Sequence, residues 1–179
     1  MSVLLLTGPP GSGKTTVLRR AADALRGWRL GGFYTAEIRE RGVRRGFRAV
    51  TLDGNARDMA RVDFPGPARV GGYGVDLSVV DSLAATLDPE APVDAWLIDE
   101  IGRMECLSAR FVAAMRALLE GRAPVVATVA LRGGGLIAEV KRRPDAEMRT
   151  LTRATRDALP AAVVDWLRGR VPSYRSNER

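Results

Sequence analysis

The sequence contains no histidine. That removes the side chain most often used as a general base near neutral pH and the commonest metal ligand, so acid–base work falls to carboxylates. A single cysteine, Cys106, excludes an intrachain disulfide framework and suits a reducing compartment, so a cytoplasmic protein is expected. Cys106 itself reads as a small buried apolar residue rather than a nucleophile. No run of about 18 apolar residues occurs, which argues against a membrane-spanning helix. The short apolar opening over 3–6 meets Gly8 and Pro9 without a basic leader or a cleavage-like site, so no secretory signal is expected. Lysine is nearly missing as well, because Lys14 and Lys141 are the only two among 28 basic residues.

What remains is an ordinary globular composition. The 179 residues, 46% hydrophobic, fit one domain with one core, expected over 1–170, with a flexible polar tail at 171–179. The net charge of +7 is carried almost wholly by arginine. It reads as a bias toward arginine wherever a solvated cation is wanted, as attraction for polyphosphates, or as nucleic-acid binding. The cluster Arg39, Arg41, Arg44, Arg45 and Arg48 makes the last reading worth testing, but no helix-turn-helix, zinc-finger or aromatic stacking motif accompanies it.

Apolar periodicity predicts a strand at 3–7 and a helix from Lys14 with Val17, Leu18, Ala21 and Leu25 on one face, stopped at Gly27. Strand-like runs at 33–38 and 47–52 turn around Gly42, giving a hairpin insertion at about 31–54. The Gly- and Pro-rich stretch 55–75 reads as irregular. Asp76 should cap a helix buried through Leu77, Val80, Leu83, Ala84 and Leu87, and Ser108 one buried through Phe111, Met115, Leu118 and Leu119. Strands are expected at 95–98, 125–129 and 148–152, a short helix at 136–142, and a last helix with Pro160 in its first turn carrying Val163, Trp166 and Leu167. Helices alternating with apolar strands indicate an α/β fold whose mostly parallel sheet is covered on both faces, with the hairpin as an antiparallel addition at one edge.

Between the first strand and first helix lies Gly8-Pro9-Pro10-Gly11-Ser12-Gly13-Lys14-Thr15, a full match to G-x-x-x-x-G-K-[ST] in its required context. Concentrated phosphate charge is met there by successive backbone N–H groups and by the positive end of a helix. Lys14 supplies a point charge for the β- and γ-phosphates, the Thr15 hydroxyl ligates Mg2+, and Thr16 contacts the α-phosphate. Asp99, at the end of the 95–98 strand, fits the carboxylate that holds the ion with Thr15. Glu100 follows directly and, with no histidine in the chain, is the leading base for an attacking water. Thr128, ending the next strand, is a candidate γ-phosphate sensor. Arg156 and Arg103 are candidates for stabilising charge that develops on the phosphoryl group.

These motifs resemble the small nucleoside-triphosphatase family first described from thermophiles, also known as the cancer-related nucleoside-triphosphatase family. The resemblance rests on 7–16, on Gly32-Phe33-Tyr34-Thr35-Ala36-Glu37 with Arg39-Glu40, on Gly46-Phe47 and on Tyr73-Gly74-Val75-Asp76. Further matches are Ile98-Asp99-Glu100-Ile101-Gly102-Arg103-Met104-Glu105 and Thr155-Arg156-Asp157. It implies a RecA-like three-layer P-loop fold and slow hydrolysis of ATP, GTP and other triphosphates with little base selectivity. It also implies a nucleotide site lined by Leu97, Ile98, Asp99, Glu100, Ile101, Gly102, Arg103 and Met104. Arg103 stands where that family usually has lysine, and Thr155 where asparagine is usual.

Two other functions remain open from the sequence. A nucleotide or small-molecule kinase would need an acceptor pocket and a mobile basic lid, which Arg142-Arg143 beside Pro144 could supply. A nucleic-acid-associated ATPase switch would use the net charge.

Overall fold

The computed structural model describes residues 3–171, so most of the expected tail lies outside the described residues. The first strand, β1 (Val3–Thr7), is buried throughout and alternates its side chains between two cores. Leu4 and Leu6 face one side, where they meet α1 (Lys14–Ala24) and α5 (Leu159–Arg168). Val3 and Leu5 face the other, against α2 (Leu77–Thr86), α3 (Ala109–Leu119) and α4 (Leu136–Lys141). Two helical layers thus enclose the sheet, and the apolar faces expected for α1, α3 and α5 are the buried ones. On α2 the buried face turns slightly: Val79 is buried, whereas Leu77, the first helical residue, is 36% exposed.

The remaining strands are β2 (Leu30–Glu40), β3 (Val43–Thr51), β4 (Ala56–Arg61), β5 (Arg69–Val70), β6 (Tyr73–Val75), β7 (Ala95–Ile101), β8 (Val125–Val129) and β9 (Ala146–Thr150). They form one sheet in the order β5-β6-β4-β3-β2-β7-β8-β1-β9. The block from β2 to β9 is parallel. Beyond β2 the sheet continues antiparallel through β3, β4, β6 and β5. Because β8 lies between β1 and β7, the phosphate-loop strand and the acidic strand are separated by the strand that ends near Thr128.

The stretch 55–75 is not irregular as its composition suggests, since it supplies three short strands. Only Met59 and Ala60 of β4 are buried, too few to register as an apolar alternation, and the strand is held by its backbone pairing to β3. The last strand begins two residues earlier than the pattern indicated, at Ala146, and its side chains are largely exposed as befits an edge. Four of the five clustered arginines are paired on this extension: Arg39 and Arg44 to Glu37, Arg45 to Glu40, and Arg48 to Asp58. Their charge is thereby largely compensated within the sheet. No helix among the described residues is long and apolar enough to cross a membrane.

Both expected caps form. Asp76 accepts from the Ser78 N–H, and Ser108 Oγ accepts from the Phe111 N–H at 3.0 Å. The buried Ser108 hydroxyl also donates to Asp81 at 2.5 Å, tying the start of α3 to α2. Ser108→Ala removes the cap and leaves the buried Phe111 N–H without its acceptor, so it should destabilise the fold by about 1–3 kcal/mol. Urea unfolding with an unchanged m-value checks this, and a midpoint equal to the wild type's would show that the bridge contributes nothing.

Candidate active site

The loop between β1 and α1 is set by backbone shape. Gly11 and Gly13 have φ of 74° and 100°, in the left-handed region that a side chain disfavours. Gly13 occupies the N-cap position of α1 in this conformation, and no side chain caps the helix, so its first N–H groups stay available to an anion. Gly8 is fixed by close approach instead, since a Cβ there would meet the Leu151 carbonyl oxygen at 3.0 Å. The Leu151 N–H donates to the Thr7 carbonyl at 2.7 Å, so the segment after β9 is locked against the loop. Pro9 and Pro10 are exposed at the loop's outer turn, and the Ser12 N–H closes that turn on the Pro9 carbonyl at 3.1 Å. The Ser12 hydroxyl is shielded from solvent and has no hydrogen-bond partner among the described residues. Lys14 folds back over the loop, its Nζ donating to the carbonyls of Gly8 (3.1 Å) and Pro9 (3.5 Å).

Asp99 is the centre of the site. It is 1% exposed at the end of β7, and its carboxylate gathers hydroxyls from three other elements. Thr15 donates to Oδ2 at 2.6 Å and Thr128 to Oδ1 at 2.7 Å. Thr35 of β2 donates to Oδ2 through both its hydroxyl, at 3.2 Å, and its backbone N–H, at 3.3 Å. All the donors are neutral, so the negative charge remains available to a cation.

Glu100 follows, partly buried, across a cis peptide. Burial pushes its carboxyl above the ordinary range, Lys14 and Lys141 oppose this, and Asp99 reinforces it. Lys141, at the end of α4, donates to the carbonyls of Ala130 (2.5 Å) and Leu131 (2.9 Å) just beyond β8, which places a second cation near Glu100. A second carboxyl, Glu105, is 5% exposed in the 3-10 turn Glu105–Leu107. A Cβ on Gly102 would stand 2.7 Å from Glu105 Oε2 and 3.5 Å from Glu100 Cγ, so glycine there lets the two glutamates share one corner. Burial pushes the Glu105 carboxyl up to about 8. Burial likewise drives the Cys106 thiol up to about 12, leaving it protonated and unreactive at neutral pH.

The structure brings Lys14, Thr15, Asp99, Glu100 and Thr128 together. Leu97, Ile98 and Ile101 are core residues, so the acidic stretch faces a ligand through its carboxylates and the following turn. Arg103 is exposed and Met104 packs partly against the core. Arg156 stands apart from the acidic pair. It lines a cleft with Gly11, Ser12, Gly13, Thr16 and Arg20, on a side of α1 where neither Asp99 nor Glu100 reaches. Sequence reasoning missed Thr35, Glu105 and Lys141. Thr35 sits in a run that carried the family resemblance, but only the sheet reveals that β2 lies beside β7 and delivers it to Asp99.

A glycine-lined anion loop, an aspartate two strands away and a neighbouring glutamate, on a sheet with β8 inserted between, define the P-loop nucleoside-triphosphatase class of fold. The NTPase family model matches residues 3–164, and the chain belongs to that family. The nucleoside-triphosphatase THEP1 of Thermotoga sp. (strain RQ2) is 37% identical over 158 residues, covering 87% of this chain and 90% of that protein. The cancer-related nucleoside-triphosphatase of Homo sapiens is 35% identical over 178 residues, covering 90% of this chain and 94% of that protein. Among solved structures, THEP1 from the hyperthermophile Aquifex aeolicus superposes with a TM-score of 0.83 at 30% identity, over 92% of this chain and 98% of that one. The solution structure of the human cancer-related nucleoside triphosphatase gives a TM-score of 0.78 at 34% identity, over 92% and 96%.

The buried Glu105 generates a pH prediction. Its folded pKa of about 8 lies above the ordinary 4.5, so the folded state holds a proton that the unfolded chain has released between those values. Stability from this group is therefore full below about pH 4.5 and is lost as pH rises toward 8. Glu105→Gln has no such proton to lose, so its stability relative to wild type should climb across that window. Urea titrations at several pH values check it, and a constant difference between the two proteins would refute the assignment.

Proposed function

We propose that this chain is a Mg2+-dependent phosphohydrolase that cleaves the terminal phosphate of ATP, GTP and other nucleoside triphosphates, giving nucleoside diphosphate and phosphate with little base selectivity. The observation that carries the reading is the contact between Thr15 of the phosphate loop and Asp99, with Glu100 beside it. The names of the relatives, all nucleoside-triphosphatases, support it.

The donor set suits Mg2+. Thr15 Oγ1 and Asp99 Oδ2 are hard oxygens 2.6 Å apart, and no cluster of three or more His, Cys, Asp or Glu side chains among the described residues forms a closed cage. A small divalent ion held by one or two protein oxygens completes its shell with phosphate oxygens and water. Once bound by Thr15 and Asp99, it would neutralise charge on the terminal phosphates.

The chain's own residues supply the rest. The free N–H groups of the loop and of the start of α1 bind the phosphates, and Lys14 exchanges the Gly8 and Pro9 carbonyls for them. Thr128 and Thr35 act through Asp99 by fixing its carboxylate plane, rather than by sensing phosphate directly. Glu100 accepts the proton of the attacking water as its oxygen bonds to the γ-phosphorus and the bridging oxygen leaves with the diphosphate. Burial raises its affinity for that proton, which favours the role of base. A kinase would instead deliver the phosphoryl group to an acceptor. Of the suspected lid, Arg143 is held by Glu120 and Asp145, whereas Arg142 is exposed, so the need for an acceptor is what separates the two readings.

Phosphate release from a panel of triphosphates, without any acceptor, tests the proposal. Glu100→Gln should bind nucleotide at wild-type affinity while turnover falls by about 10²–10⁴-fold, and Lys14→Ala should lose both. Wild-type turnover in Glu100→Gln would sink the assignment of the base. Turnover only with an added nucleoside monophosphate would identify a kinase.

A further inference from the structure

Terminal phosphate cleavage spreads negative charge over the oxygens of the transferring group as the water oxygen bonds to phosphorus and the bridging oxygen leaves. Lys14 meets that charge from the phosphate loop. The mechanism has so far left the second lysine of the chain without a task. Only Lys14 and Lys141 among the 28 basic residues are lysines, in a sequence that otherwise uses arginine for its solvated cations. The phosphate loop explains the first. A compact ammonium in place of a planar guanidinium calls for a local reason at Lys141 as well.

Just past Thr128 the chain leaves β8 through a set of cross-links. The Thr7 hydroxyl, at the end of β1, donates to the Val129 carbonyl at 3.3 Å. The Ala130 N–H donates at 3.1 Å to the carbonyl of Ile101, one residue beyond Glu100. Lys141 completes the set, its Nζ donating to the Ala130 and Leu131 carbonyls at 2.5 and 2.9 Å. The exit of β8 therefore lies between the root of the phosphate loop and the root of Glu100, and Lys141 is bonded to that exit. Burial of Leu136, Ile137 and Val140 anchors α4, and the half-buried Lys141 is its last residue. A basic residue there ordinarily serves the dipole of its own helix. Lys141 instead reaches carbonyls that precede α4 altogether. Its ammonium carries three N–H donors, and the carbonyls take two. Lys14 is held in the same manner by the Gly8 and Pro9 carbonyls, and both cations act on the Glu100 carboxyl. The arginines considered for the same charge are placed otherwise: Arg156 lies across α1, and Arg103 is exposed in the turn after β7.

We propose that Lys141 is a second catalytic cation, whose ammonium exchanges a carbonyl of the β8 exit for an oxygen of the γ-phosphoryl group as that group is transferred to water. No proton moves to or from Lys141 in this step. Glu100 takes the proton of the water, and the ammonium stays charged while negative charge grows on the oxygens it binds. A stabilising cation of this kind can be supplied by the chain itself or by a partner. Here α4 supplies it from within. The role rests on the phosphohydrolase reading above, because it needs a γ-phosphoryl group in transfer. The competing role is a plain staple, in which Lys141 fastens Ala130 and Leu131 and touches no substrate.

Two substitutions separate these roles. Lys141→Gln keeps N–H donors for the carbonyls and loses the charge, whereas Lys141→Arg keeps the charge and changes its shape. Turnover of ATP with Mg2+ is measured beside calorimetric binding of ADP with Mg2+, alone and with aluminium fluoride, a mimic of the phosphoryl group in transfer. Lys141→Gln should lower kcat by about 10- to 10³-fold and leave KM within about threefold. Its affinity for ADP should stay within about twofold of the wild type's, while the extra affinity conferred by aluminium fluoride falls by at least about tenfold. Lys141→Arg should recover part of both losses and, where the neutral variant does not fold, should still lose more in kcat than in ADP affinity. Wild-type kcat in Lys141→Gln would overturn the proposal and leave the phosphohydrolase reading intact. So would an ADP affinity that falls as far as kcat, which would make Lys141 a staple. If the wild type hydrolyses no triphosphate, the second cation and the phosphohydrolase reading fall together.

Discussion

Everything in this site is organised around a single buried carboxylate. Asp99 draws hydroxyls from the start of α1, from β2 and from β8, so four separate stretches of chain converge on two oxygen atoms. A charge buried to that degree is tolerated only when its lone pairs are engaged, and neutral threonine donors engage them without neutralising it. The strand order follows the same logic. With β8 set between β1 and β7, the distance from the phosphate loop to the acidic strand is bridged from both sides, by Thr15 reaching across and Thr128 standing in the middle.

Much of this was legible in the sequence because it is local. The phosphate loop is a run of eight residues whose glycines have conformational consequences, and two of them do take the left-handed backbone. Helix caps at Asp76 and Ser108 are short-range hydrogen bonds between near neighbours, so their residue types announce them. The central parallel strands β1 and β8 are buried and apolar on both faces and stand out from their surroundings.

What escaped reading is non-local. Thr35 acts on a residue 64 positions away, and its threonine type carries no mark of that role. Lys141 was visible as one of only two lysines, yet nothing in its neighbourhood signals that it reaches back to the carbonyls following β8. Glu105 looks like a surface acid until the 3-10 turn is seen to fold it inward beside Gly102. The strands within 55–75 were hidden for another reason, since backbone pairing to an existing edge holds them more than an apolar face of their own. The pairing of the arginine cluster was hidden as well, because its acidic partners lie across or along the sheet rather than in an obvious adjacent block.

One strand belongs to two structures at once. The first residues of β2, from Leu30 to Phe33, pair with β7 in the parallel block, while the stretch from Phe33 to Glu40 pairs with β3 in the antiparallel extension. Thr35 falls where the first pairing has ended and only the second remains. A chain pared down to its five parallel strands would keep the phosphate loop and both acidic residues, yet it would leave the Thr35 segment as a loose end with one flank of backbone unsatisfied. The outer hairpin is in this sense part of the catalytic apparatus: it is the splint that keeps a distant hydroxyl pointed at Asp99.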